Sequence, residues 1–162
     1  MTPSRILFVC TGNICRSPTA VAVMRVFLKR AGLEGQVTVD SAGTHDFHAG
    51  KLPDPRAIAA AQKRGYDLTA MRARQISKRD YDEFDLLLAM DLDNLEHLQS
   101  NCALTHLPKI RLLMNYAKKY KVPFVPDPYC RSDADFEAVL DYIEDACSGL
   151  ISLLSQSREV AR

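Results

Sequence analysis

Apolar positions along the chain follow two patterns. The first is the unbroken run, at Ile6-Leu7-Phe8-Val9 and again at Leu86-Leu87-Leu88-Ala89-Met90. Short runs without polar breaks predict strands covered on both faces, as in a parallel sheet. Val37-Thr38-Val39 and the segment from Ile110 to Leu113 are weaker candidates of the same kind. The second pattern repeats at spacings of three and four. Ala20, Val23, Met24, Phe27, Leu28 and Ala31 form one such stripe, ending at Gly32, and predict a helix with a C-terminal stop. Phe136, Val139, Leu140, Ile143, Cys147, Leu150, Ile151 and Leu154 predict a longer one. Shorter helices are expected from Arg56 to Arg64, entered after Pro53-Asp54-Pro55, and from Leu92 to Gln99.

Strands that alternate with helices predict an α/β fold, a three-layer sandwich around a central four-stranded, mostly parallel sheet. In such a fold ligands bind beyond the carboxyl ends of the strands. A length of 162 residues suits a single domain, 1–162. Hydrophobic residues at 47% and charged residues at 25% are ordinary for a globular protein, and no apolar run suits a membrane crossing. Met1-Thr2-Pro3-Ser4 leads directly into the first strand without a secretory h-region, so a cytoplasmic location is expected. Five cysteines, odd in number and scattered, argue against a disulfide framework and for reduced thiols. A formal charge of +1 offers nothing to a nucleic acid or an anionic membrane, and neither is expected as a partner. Lys118, Lys119 and Lys121 read as a solvated helix end. Three prolines between Pro123 and Pro128 exclude regular helix there and predict an ordered loop.

The segment from Cys10 to Pro18, between the first strand and the first helix, carries the chemistry. Cys10 ends a buried strand, which sets its side chain at the carboxyl edge of the sheet. Gly12 and Asn13 are the residue types that most readily take left-handed backbone conformations, so the loop is expected to curl with its N–H groups inward. Ser17 suits an N-cap and Pro18 the first helical position. Amides converging at a helix N-terminus bind anions, and the guanidinium of Arg16 adds a fork for two phosphate oxygens. Thr11, Gly12, Asn13, Ile14, Cys15 and Ser17 are therefore candidate phosphate-binding residues around Cys10. The same donors would favour a nucleophilic thiolate at Cys10. An ATP-binding phosphate loop would need a Gly-Lys pair, which is absent. A metal site at Cys10 and Cys15 would need a second ligand pair at zinc spacing, and none follows, so neither metal nor cofactor is expected.

Val9-Cys10-Thr11-Gly12-Asn13-Ile14-Cys15-Arg16-Ser17-Pro18 resembles the signature of the low-molecular-weight protein tyrosine phosphatases. Asp40-Ser41-Ala42-Gly43-Thr44, Asp54-Pro55-Arg56, Ala73-Arg74-Gln75-Ile76, Ala89-Met90-Asp91 and Asp127-Pro128-Tyr129 match further segments in the family's order. The resemblance implies hydrolysis of phosphotyrosine in proteins, with Cys10 as nucleophile, Arg16 as phosphate ligand and Asp127 as general acid. It implies that Asn13, Ser17 and Ser41 brace the loop, and that Phe47 and Tyr129 wall the substrate cleft. It also implies that Cys15 traps an oxidised Cys10 as a disulfide. Asp127, taken alone, would equally suit an Asx-turn before a proline. The expected partner is a tyrosine-phosphorylated protein, and the expected assembly a monomer or weak dimer. One departure stands at Met71, where many members carry a histidine that supports the loop asparagine; a thioether cannot donate that bond. Ser41, His45, His48 or a water would have to take its place.

Three rivals share the scaffold or the site. Arsenate reduction needs resolving cysteines between Arg79 and Asp93, where there are none. Phosphoarginine hydrolysis would be read by the residue before Cys15, and the bulk of Ile14 resembles the tyrosine-directed members. A phosphopeptide-binding module would need the loop without the turnover.

Overall fold

The first apolar run forms β1, Arg5–Cys10, with Ile6, Leu7, Phe8 and Val9 fully buried. The computed structural model describes residues 2–161. After β1 come α1 (Arg16–Arg30), β2 (Thr38–Gly43), α2 (Pro55–Lys63), α3 (Lys78–Glu83), β3 (Leu86–Ala89), α4 (Leu92–Ser100), β4 (Ile110–Leu112) and α5 (Asp133–Val160). The four strands pair in the order β2-β1-β3-β4, and every pairing is parallel. The expectation of a mostly parallel sheet thus becomes an entirely parallel one.

Side chains alternate across this sheet, and the alternation builds its two cores. Ile6, Phe8, Leu86 and Leu88 join the cluster made by α1, α2 and α5. Leu7, Val9, Leu87 and Ala89 join a smaller cluster with Tyr81 and Phe84 near α3 and Leu98 of α4. The result is helix, sheet, helix. Truncating a side chain such as Phe8 to alanine would cost roughly 3–5 kcal/mol. Helix α5 presses closest where Gly149 passes the short 3-10 turn Leu113–Tyr116: a Cβ there would stand 1.8 Å from the Tyr116 carbonyl oxygen.

Several boundaries differ from the pattern. Strand β2 extends to Gly43 because Asp40-Ser41-Ala42-Gly43 pairs with β1 although its side chains are small or polar. Helix α3 has no apolar stripe to announce it; the Asp80 carboxylate accepts hydrogen bonds from the Ser77 N–H and hydroxyl at 2.7 and 3.2 Å and nucleates its first turn. Lys118 and Lys119 lie in a turn, not at a helix end, with their N–H groups donating to Asp145 of α5. Among the described residues no helix is long and apolar enough to cross a membrane.

Candidate active site

Between β1 and α1 the chain curls around a point beyond the carboxyl edge of the sheet. Helix α1 begins at Arg16 with Cys15 as its N-cap, two residues earlier than Ser17 and Pro18 suggested. Ser17 cannot cap because its hydroxyl is engaged elsewhere, 2.9 Å from Cys10 Sγ and accepting from Asn13 Nδ2 at 2.8 Å. No side chain caps the first turn of α1. Its amides are left to an anion, with the positive end of the helix behind them.

Asn13, with φ 56°, is the one non-glycine residue in the left-handed region among those described. Gly12 does not share that conformation, contrary to expectation; its lack of a side chain instead makes room for His48, whose Cδ2 would lie 2.9 Å from a Cβ. The Asn13 side chain is held three ways. Its Nδ2 donates to Ser17 and to Ser41 Oγ at 2.9 Å, and its Oδ1 accepts from the backbone N–H of Arg74 at 2.9 Å. Ser41 is delivered by β2, whose register sets it opposite Phe8. Arg74 is delivered by the segment alongside, where its carbonyl accepts from Gly43 N–H at 2.8 Å. Gly43 must be glycine here, since a Cβ would meet the Thr11 carbonyl oxygen at 2.7 Å. Met71 packs against the core and gives the loop no polar support. The Arg74 amide and Ser41 supply it, and His45, bonded to Thr44 Oγ1, does not.

Arg16 is 1% exposed. Its Nη1 donates to Asp91 Oδ2 at 2.6 Å and to the Val125 carbonyl at 2.9 Å, and its Nη2 lies 3.5 Å from Thr11 Oγ1. Burial by itself would lower its pKa, but the charge at Cys10 and the bond and charge of Asp91 raise it, so the guanidinium stays charged. Asp91 in turn caps α4 through the Asn94 N–H at 2.8 Å, and Asn94 Nδ2 donates to Thr11 Oγ1 at 3.1 Å. Sequence reasoning assigned no role to Asp91, Asn94 or Arg74. The Asp-x-x-Asn step directly after a buried strand is the signal that was available for the first two.

Asp127 stands across the opening. Its Oδ1 accepts from the Tyr129 N–H at 3.1 Å, the Asx-turn that a proline context predicts, while its Oδ2 lies 3.6 Å from Arg16 Nη2. Both readings of this residue therefore describe one conformation. Cys10, Thr11, Gly12, Ile14, Cys15, Arg16, Phe47, His48, Asp127 and Tyr129 line one cleft of about 260 Å³. Asn13, Ser17 and Ser41 lie buried behind the loop rather than in the cleft. Phe47, 65% exposed, stacks on His45 at 4.7 Å and flanks the mouth together with Tyr129. His48, which the motifs did not mark as a wall, tilts against Tyr129 at 5.7 Å. Cys15 is buried, and that burial, followed by the charge of Asp54, pushes its thiol far up.

A model of the family described as low molecular weight phosphotyrosine protein phosphatase matches residues 5–160. The chain belongs to this family. The phosphatase is 36% identical to the low molecular weight protein-tyrosine-phosphatase YfkJ of Bacillus subtilis, over 96% of this chain and 98% of that one. It is 38% identical to the low molecular weight phosphotyrosine protein phosphatase of Sus scrofa, over 90% and 92% of the two chains. Its fold superimposes on a crystal structure of a protein tyrosine phosphatase from Entamoeba histolytica, solved with Hepes in the active site, with a TM-score of 0.92. That pair shares 37% identity over 95% of this chain and 98% of the other.

Proposed function

We propose that this phosphatase hydrolyses phosphotyrosine in proteins through a phosphocysteine formed on Cys10. The observation that carries the reading is convergence: the Cys10 sulfur, an uncapped helix N-terminus, a buried arginine fork and an exposed carboxylate share a single cleft. Each serves a separate need of the reaction.

The phosphate enters with its equatorial oxygens on the loop amides and Arg16. The Cys10 thiolate attacks phosphorus, and the P–O bond to the tyrosine breaks. Tyrosine has a pKa near 10, so its phenolate leaves poorly unless protonated. Asp127 supplies that proton, a role worth roughly 10²–10⁴-fold in comparable catalysts. Asp127, now a carboxylate, accepts a proton from the water that attacks the phosphocysteine, and inorganic phosphate leaves with Cys10 again a thiolate. Ser17, 2.9 Å from the sulfur, donates to that thiolate as it departs. Arg16 and the amides hold the charge on the phosphoryl oxygens in both steps.

Phe47 and Tyr129 both line the cleft, where stacking of an aryl ring between them would favour phosphotyrosine over the shorter phosphoserine. Cytoplasmic residence fits a site whose nucleophile must stay reduced. We infer that Cys15, which lines the same cleft as Cys10, captures an oxidised Cys10 in a disulfide that reductant would reopen. Mild peroxide followed by mass spectrometry should then yield the Cys10–Cys15 peptide pair, and a sulfinic acid on Cys10 without it removes Cys15 from that role.

The test of the proposed reaction is a pair of substitutions. Cys10→Ser should abolish turnover of aryl phosphates, and substantial residual activity removes Cys10 as nucleophile. Asp127→Ala should lower kcat/KM on phenyl phosphate far more than on 2,4-dinitrophenyl phosphate, whose phenolate departs unaided. Equal slowing of the two removes Asp127 as proton donor.

A further inference from the structure

Arg56 is a cation beside the cleft that the reaction above does not use. It sits in the first turn of α2, and its side chain serves three elements at once. Its Nε and Nη2 donate to Asp54 Oδ1 and Oδ2 at 3.2 and 3.0 Å. Its Nη2 also donates to the Tyr129 carbonyl, and its Nη1 to the Arg131 carbonyl at 3.1 Å. The flat face of the guanidinium lies over the Phe136 ring of α5, 4.7 Å from its centroid.

The bonds to Tyr129 and Arg131 matter because the acid loop has little else. Pro126 and Pro128 have no N–H to give. The Tyr129 N–H is spent on Asp127 and the Arg131 N–H on the Pro128 carbonyl, both inside the loop. Among the described residues, the two hydrogen bonds that tie the stretch 126–131 to another element both come from Arg56. On the other side, the Asp54 N–H donates to the Ile14 carbonyl of the phosphate loop at 2.8 Å. Asp54 and Arg56 thus join the loop that holds the phosphate to the loop that carries the carboxylate.

We propose that Arg56 is a positioning residue for proton transfer: it fixes the height of the acid loop over the cleft, and so the reach of Asp127 to the leaving oxygen. The proposal rests on the reading of Asp127 as general acid. An arginine is needed because a planar fork can meet a carboxylate and two carbonyls while stacking on an aromatic ring; a lysine offers one point charge and no face. The role is geometric rather than a matter of stability. The Asp54–Arg56 pair joins an arginine side chain 38% exposed to a carboxylate side chain 8% exposed, and that carboxylate keeps its bond from the Arg56 backbone N–H at 2.8 Å when the guanidinium is removed.

The experiment measures kcat/KM, which reports the steps up to phosphocysteine formation and not its hydrolysis, for Arg56→Ala, Arg56→Lys and Asp127→Ala on phenyl phosphate and on 2,4-dinitrophenyl phosphate, with the inhibition constant of inorganic phosphate for each. Arg56→Ala should lose roughly tenfold or more on phenyl phosphate, the scale expected when a catalytic group is displaced by a fraction of an ångström to an ångström. It should lose less than about twofold on the dinitrophenyl ester, and its phosphate inhibition constant should stay within about twofold, since the phosphate loop keeps its bond from the Asp54 backbone. Arg56→Lys should recover part of the phenyl phosphate rate. Equal loss of kcat/KM on both esters, or a phosphate inhibition constant that rises in step with that loss, overturns the inference, because Arg56 would then act through the phosphate loop or the fold. If Asp127→Ala discriminates between the esters and Arg56→Ala does not, the inference alone falls. If Asp127→Ala does not discriminate, the reading of Asp127 falls and takes this inference with it.

Discussion

On one side of the cleft, Cys10, Asn13, Arg16 and Ser17 are each no more than 2% exposed, and every polar side chain among them is hydrogen-bonded. On the other side, the Asp127 side chain is 50% exposed and Tyr129 44%, and two bonds from Arg56, to the Tyr129 and Arg131 carbonyls, tie the stretch 126–131 to another element. The phosphate loop is braced by bonds to several elements, the acid loop by those of one residue. Burial explains the contrast. A buried polar group left without a partner costs about 1–3 kcal/mol, so the phosphate loop must satisfy each of its groups and holds one shape. Asp127 faces water and needs no such enforcement, which leaves its position to a neighbour's hydrogen bonds. An element that binds the same dianion in every substrate gains from rigidity, whereas a carboxylate that gives and takes a proton needs access to solvent and to a departing phenol.

The contrast can be broken at three points, the largest effect first. Arg16→Lys removes the fork that reaches Asp91, Val125 and the phosphate together, and should lower kcat/KM on any aryl phosphate by roughly 10²–10³-fold, with no dependence on the leaving group. A leaving-group dependence would mean that Arg16 acts mainly through Asp127, which lies 3.6 Å from its Nη2, and the two sides of the cleft would not be separable. Asn13→Ala places a side chain unsuited to φ 56° and strips three hydrogen bonds. It should cost about 2–4 kcal/mol of stability in urea denaturation together with a loss of activity. Loss of activity without loss of stability would show that the loop does not depend on these bonds for its shape.

The smallest effect concerns the network behind the phosphate loop. Burial would raise the pKa of Asp80, but bonds from Arg74 and Ser77 outweigh it and hold the carboxyl below the usual range. A carboxyl depressed in the folded state adds stability above its unfolded pKa, about 3.9, and that stability disappears as pH falls through the lower folded value. Asp80→Asn should therefore destabilise the protein at pH 7 and close much of the gap to the parent at pH 3, read from urea midpoints at both. An undiminished gap at pH 3 would assign the loss to packing. Arg74, whose amide holds Asn13, is the other partner in this pair, so the same variant should also loosen the phosphate loop slightly.

The contrast also decided what could be read from the sequence. Ile6 to Val9 and Leu86 to Met90 announced the central strands because both faces of the sheet are covered, and unbroken apolar runs have few other uses. Cys10, Gly12, Asn13, Arg16 and Ser17 announced an anion loop because backbone conformation, burial and charge all constrain the same few adjacent residues. The boundary at Ser17 was misread for a physical reason, since the hydroxyl that would cap a helix serves the sulfur instead. Asp127 drew attention as a carboxylate pinned between two prolines on a loop able to reach the phosphate, but an ordinary turn suits the same pattern, and resemblance to a family decided between them. Asp91, Asn94, Arg74 and Arg56 were missed as parts of the site because their partners there, Arg16, Thr11, Asn13 and the Tyr129 and Arg131 carbonyls, lie between 61 and 83 positions away along the chain. Helix α3 was missed because it is short and buries only Asp80 and Tyr81.

The central claim is that phosphorus passes through Cys10. Rapid acid quench of Asp127→Ala during turnover of an activated aryl phosphate, followed by peptide mass spectrometry, tests it most directly, because loss of the base that activates water should let the intermediate accumulate. The account predicts a single phosphorylated peptide with phosphate on Cys10 and a burst of phenol equal to the enzyme present. Phosphate on another residue, or a steady release of phenol with no burst and no labelled peptide, would contradict it.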